Sequence, residues 1–158
     1  MSSAAWPCWP PSAGSACVAD ILPGNAPAPV GSMPLNDERD IVQCRAAVRQ
    51  LTAGLKFSLV EQTKMITAAS ELARNTVIYG GGGRMRWEVV QQGVRAGLRL
   101  HFEDEGPGIP DIEQALTDGW TSGSGLGMGL SGSRRLVNDF SIDSKVGEGT
   151  RVTIARWK

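Results

Sequence analysis

The sequence predicts an α+β fold, a two-layer α/β sandwich with helices packed on one face of a mixed, largely antiparallel sheet. Three observations carry this. Amphipathic helical stripes gather between residues 40 and 78. Period-two alternation dominates from residue 84 onward. The alternating runs are joined mostly by short Gly-containing turns, which favour antiparallel neighbours over βαβ crossovers.

The length of 158 residues suits one domain, but its first 32 residues differ from the rest. They hold six of the nine prolines and two of the five tryptophans, with Asp20 the one charged residue. Small residues and proline at this density cannot build a packed core, so residues 1–28 are expected to be a disordered extension and 29–158 the folded domain. Met33 is a candidate alternative start, and Val30–Leu35 a short edge strand. No Lys or Arg precedes an apolar core near the N-terminus, which argues against a secretory signal.

From Asp40, a candidate N-cap, the residues Ile41, Cys44, Val48, Leu51 and Leu55 fall at helical spacing. Ser58 can cap a second helix, Leu59–Ile78, whose inner side is Met65, Ile66, Ala69, Leu72, Ala73 and Val77; Gly80 to Gly83 stop it. Arg84–Gln92 and Leu98–Asp104 alternate as strands of one hairpin, turning over Gln92–Gly97. A short helix is expected over Asp111–Thr117, a Gly/Ser-rich loop over Gly119–Gly129 and a helix over Leu130–Asp139. Phe140–Val146 and Thr150–Trp157 read as two closing strands.

Composition excludes several functions. Sixteen basic and sixteen acidic residues cancel, so no broad field points to nucleic acid or an anionic membrane. No apolar run approaches the roughly 18 residues of a spanning helix. Cys8, Cys17 and Cys44 are odd in number and lack CxxC spacing, which suits a reducing cytoplasm better than a disulfide framework or zinc site.

Three stretches carry candidate chemistry. Leu98, Leu100 and Phe102 lead into Asp104-x-Gly106-x-Gly108, where glycine and Pro107 end the strand and leave a carboxylate beside bare backbone. A flat hydrogen-bonding ligand could lie there, although Asp and Gly also end ordinary strands. On the second helix Glu71 and Asn75 are four apart and project from one face. Such a pair is commonly solvated; here Asn75 offers a neutral oxygen of the kind Mg²⁺ accepts, and Glu71 a carboxylate able to take a proton. In the Gly-rich loop, Gly123, Gly125, Gly127 and Gly129 let backbone N–H groups turn toward an anion at a helix start; the alternative is a flexible linker. Gly127–Gly132 also spells GxGxxG, but no strand leads into it, which excludes a dinucleotide fold, and no GxxxxGK[ST] is present.

Taken together and in this order, Glu71-x-x-x-Asn75, Asp104-x-Gly106-x-Gly108, Gly125-Leu-Gly-Met-Gly129 and Gly147-Glu-Gly-Thr150 resemble the nucleotide-binding boxes of the GHKL (Bergerat-fold) ATP-binding superfamily. Residues 34–158 carry the likeness. Within the superfamily, Ser70–Asn75, Glu103–Asp111, Arg135–Ile142 and Trp157 resemble the small RsbT-type serine/threonine protein kinases of bacterial stress signalling.

The resemblance implies ATP and Mg²⁺. Asp104, supported by Thr150, would receive the adenine amino group, with Gly106 and Gly108 letting the base approach the backbone. Asn75 would hold the metal. Gly125, Leu126, Gly127, Gly129 and Leu130 would close over the phosphates, and Glu71 would be the general base. Arg134 or Arg135 could face phosphate charge or simply be solvated. The implied substrate is a serine in a STAS-domain protein (RsbS/RsbR-like), with a PP2C-type phosphatase (RsbU-like) as a further partner. The alternative is an anti-sigma factor of the RsbW/SpoIIAB type. His101 lies in a strand with no helical phosphoacceptor segment before it, which argues against a histidine kinase.

Overall fold

The computed structural model describes residues 16–17, 30–117 and 129–158. Six strands make one sheet: β1 Ala16–Cys17, β2 Val30–Leu35, β3 Gly83–Gln92, β4 Arg95–Asp104, β5 Asp139–Lys145 and β6 Gly149–Trp157. Their spatial order is β1-β2-β3-β4-β6-β5. Every pairing is antiparallel except β1 with β2, where Ala16 and Cys17 oppose Gly31 and Ser32. Among the described residues β2 is therefore not the edge strand that its sequence suggests. The rest of the N-terminal extension lies outside the described residues, as do positions 118–128 of the Gly-rich segment.

The helices are α1 Glu38–Gly54, α2 Leu59–Ile78, α3 Ile112–Ala115 and α4 Gly129–Leu136. The alternation in β3, β4 and β6 sends Met85, Trp87, Leu98, Leu100, Phe102, Val152 and Ile154 to one face. There they form a single apolar cluster with Cys44, Val48 and Leu51 of α1 and Met65, Ala69 and Leu72 of α2. The opposite face is charged. Glu103 pairs with Arg84 at 2.9 Å and Arg151 at 3.3 Å, and Glu88 with Arg99 at 3.1 Å. His101 sits buried in this second face, its Nε2 3.1 Å from Glu88 Oε1 and its Nδ1 2.9 Å from Thr153 Oγ1. Burial holds its imidazole below the ordinary value of 6.5, against the pull of Glu88. It is a structural residue of the sheet.

Helix α2 has the predicted bounds. Ser58 Oγ accepts from the Glu61 N–H, and Glu61 Oε2 accepts from the Ser58 N–H, a reciprocal cap. Several boundaries differ from expectation by a residue or two, and three of them have a clear local cause. Helix α1 is capped by Asp37, whose carboxylate accepts from the N–H groups of Arg39 and Asp40; Asp40 instead accepts from Asn36 N at 2.8 Å. The β3–β4 turn is only Gly93-Val94, with Gly93 at φ 60°, so β4 begins at Arg95. Helix α4 stops at Leu136 because β6 competes for the chain beyond it. Asn138 N donates to Ala155 O, and Asn138 Oδ1 accepts from Trp157 N.

Candidate functional site

Helix α2 crosses the sheet so that its C-terminal half borders a cleft of about 270 Å³. Glu71, Asn75, Asp104, Gly108, Gly129, Leu130 and Thr150 all line it. Four segments far apart in sequence thus converge on one cavity. Its walls are otherwise mostly apolar: Leu72, Phe102, Ile109, Pro110 and Val152 among them. A few polar groups in an apolar cleft is the usual make-up of a small-molecule site. Gly125, Leu126 and Gly127 lie outside the described residues.

One end of the cleft is built around Asp104. The β ladders put Asp104 directly opposite Gly83 of β3 and Thr150 of β6. Its Oδ1 accepts from the Gly106 N–H at 2.9 Å. Burial raises its carboxyl pKa above the ordinary value, while hydrogen bonding from the Gly106 and Thr150 backbones partly offsets the shift. Ser144 completes this end. Its hydroxyl lies 2.8 Å from Thr150 Oγ1, accepts from Ile109 N at 2.8 Å and lies 3.1 Å from Gly149 O.

Backbone closeness explains the glycines here. After α2, Asn75 O accepts from Tyr79 N and Gly80 N, and the chain leaves across Asp104. A Cβ on Gly80 would sit 2.6 Å from Asp104 Oδ2, and one on Gly106 would sit 2.8 Å from Gly80 Cα. Gly108 has φ +77°, and a Cβ there would collide with Lys145 O. Gly147 N donates to Pro107 O at 2.8 Å, fastening the β5–β6 turn to this loop.

The other end belongs to the exposed side of α2. Glu71 and Asn75 are half-buried and Arg74 is exposed, all three lining the cleft. The described residues contain no cluster of three or more His, Cys, Asp or Glu able to cage a metal. A single amide oxygen fits an ion that takes most of its ligands from water and phosphate, as Mg²⁺ does. Arg134 and Arg135 are exposed and are not among the described lining residues.

Sequence reasoning missed Arg74, Gly80 and Ser144. Four consecutive glycines after α2 are more than a helix stop needs, which was a readable signal for Gly80. Ser144 carried none, because its role depends on the β5–β6 register that sets it opposite Thr150.

A layered α+β domain with a carboxylate at a strand end, facing a helix that bears Glu and Asn, defines a nucleotide-binding class. Residues 60–158 match the model for histidine kinase-, DNA gyrase B- and HSP90-like ATPases, and the chain belongs to this family. Within it, the chain is 43% identical over 120 residues to the serine/threonine-protein kinase RsbT of Bacillus subtilis (strain 168), spanning 76% of this chain and 90% of that protein. It is 30% identical over 120 residues to the anti-sigma F factor of Geobacillus kaustophilus, spanning 71% of this chain and 80% of that one. Among solved structures, the RsbU and RsbW domains of a Mycobacterium tuberculosis protein superpose with a TM-score of 0.54 at 17% identity. That match covers 80% of this chain and 33% of the other, and it carries the fold alone.

Proposed function

We propose that residues 29–158 form an RsbT-like serine/threonine protein kinase, which moves the terminal phosphoryl group of ATP to a serine of a STAS-domain protein in a partner-switching pathway. The observation that carries this reading is the convergence of Glu71 and Asn75 with Asp104 and Thr150 in one cleft. The 43% identity to RsbT favours it over the anti-sigma alternative, whose sampled relatives stand near 30%.

In this reading Asp104 accepts a hydrogen bond from the adenine amino group, and Thr150, held by Ser144, supports the same edge of the base. Gly80, Gly106 and Gly108 keep that end free of side chains. Gly125, Leu126, Gly127, Gly129 and Leu130 cover the phosphates. Mg²⁺, where bound through Asn75, would offset phosphate charge as bonding shifts from the leaving to the attacking oxygen. Glu71 takes the proton of the acceptor serine as its Oγ attacks the terminal phosphorus. The bond from that phosphorus to the β,γ-bridging oxygen breaks, and ADP leaves. Phosphoryl transfer of this kind needs positioning and charge stabilisation more than covalent help from the protein.

The test is incubation with γ-labelled ATP, Mg²⁺ and the STAS-domain proteins encoded beside the gene. Label is expected on one serine of a STAS protein and absent from its serine-to-alanine variant. Stable capture of a sigma factor, with no protein labelled, would overturn the kinase reading in favour of an ATP-binding anti-sigma factor. A PP2C-type phosphatase that binds the chain once the STAS protein is phosphorylated would complete the partner-switching circuit.

A further inference from the structure

We propose that Arg74 binds the terminal phosphate of the nucleotide, a contact that separates ATP from ADP; this rests on the ATP-binding reading above. The charges of the cleft motivate it. Among the described lining residues the ionisable carboxylates are Glu71 and Asp104, and Arg74 is the one cation. Beside two carboxylates, a triphosphate carries more negative charge than one bound Mg²⁺ offsets, and a protein cation facing it would relieve the remainder. Arg74 makes no ion pair with any carboxylate among the described residues, so its guanidinium is not already committed.

Position along α2 says which phosphate it meets. The base end lies at the helix C-terminus, where Gly80 abuts Asp104. From Tyr79 back to Glu71 is eight residues of helix, about 12 Å at 1.5 Å per residue. Passing away from the base, the amide and charged side chains that line the cleft come in the order Asn75, Arg74, Glu71. Helical side chains lean toward the helix N-terminus, so Arg74 covers the turn that carries Glu71, beyond the proposed metal ligand. That is the place of the outermost phosphate, next to the proposed base. A planar guanidinium can grip two phosphate oxygens at once, which an ammonium cannot. Arg74 is exposed, so its replacement leaves the core untouched.

The test compares ADP with a non-hydrolysable imido analogue of ATP, both with Mg²⁺, by calorimetry. For Arg74→Gln the analogue should bind about 10- to 100-fold more weakly, as expected on losing a hydrogen-bonded charge contact, with ADP within about threefold of wild type. Arg74→Lys should recover part of the lost affinity. An equal loss for both ligands would overturn the proposal, because Arg74 would then serve the inner phosphates or the fold; unchanged melting temperature tells these two apart. Unchanged binding of both would also overturn it, even if transfer to a protein fell, since Arg74 would then serve the acceptor. Wild-type protein that binds neither nucleotide would instead defeat the ATP-binding reading itself.

Discussion

The two ends of the cleft are made differently. Around Asp104 the structure is tied down by backbone: ladder partners on both sides, the Gly106 N–H on Oδ1, Ser144 bridging Ile109, Gly149 and Thr150, and glycines too close to admit a Cβ. Around Glu71 the structure is side chain on helix: Glu71, Arg74 and Asn75 extend from α2 without a side-chain hydrogen bond among the described residues. A site for a constant group, such as a base, can be fixed in advance. The groups at the second end gain their partners only from what binds there. In the proposed reading recognition falls to the first end and reaction to the second, and substitutions should separate them.

The largest separation is expected from Glu71→Gln. Size and helix propensity are kept, so ATP should bind nearly as in wild type while transfer to the acceptor serine falls about 10²- to 10⁴-fold, the usual contribution of a positioned base. Loss of nucleotide binding instead, measured by calorimetry, would erase the distinction between the ends. Asp104→Asn should do the reverse. Loss of a charge-assisted hydrogen bond should weaken ATP and ADP alike by roughly 10- to 150-fold, and transfer at saturating ATP should remain within a few-fold of wild type. Guanine presents a carbonyl where adenine presents its amino group, so equal titration curves for ATP and GTP on wild-type protein would remove Asp104 from base recognition.

Acidification should sharpen the same contrast more gently. Burial sets the Asp104 pKa above its usual 3.8, so ionised Asp104 is lost closer to neutrality than an ordinary carboxylate would be. ADP affinity should drop as pH falls through that window, and Asp104→Asn should flatten the drop. The fold itself moves the other way at this group. A raised native pKa means the native state binds the proton more tightly than the unfolded chain, so this group's contribution to stability grows as pH falls. Weaker binding together with a lower melting temperature in wild type alone would contradict this sign.

The smallest effect is expected from Ser144→Ala. It leaves the part-buried N–H of Ile109 and the Thr150 hydroxyl short of a partner, costing about 0.5–1.5 kcal/mol of stability. Nucleotide affinity should fall only a few-fold, equally for ATP and ADP, and transfer by the bound enzyme should not change. A selective loss of transfer would place Ser144 in the reaction rather than in the base end.

The split between the ends also governs what could be read from the sequence. Glu71, Asn75 and Asp104 stand out only as a set: alone they read as a solvated helix pair and a plain strand-ending turn, and their order along the chain is what joined them before the cleft did. The two layers, the β3–β4 hairpin and the bounds of α2 follow from periodicity and from the Ser58–Glu61 cap. What failed to show depended on contacts across the sheet. Asp37 and Asp40 are equally good caps on paper, and only the helix geometry chooses Asp37. The end of α4 is decided by β6 through Asn138. Ser144 acquires its role from the residue opposite it. Arg74 reads as a solvated helix charge until the cleft is seen beside it.

The convergence on Asp104 has a consequence for the life of the protein in the cell. Gly80, Asp104, Ser144 and Thr150 meet only when β3, β4, β6 and β5 have all taken their places, so in the proposed reading a partly opened chain offers no place for adenine. A ligand that binds only the closed form acts as a clasp on the whole sheet. At a nucleotide concentration 100 times the dissociation constant, the clasp adds about 2.7 kcal/mol to native stability. Stripping nucleotide from the protein would then be expected to lower its resistance to proteolysis as well as its melting temperature.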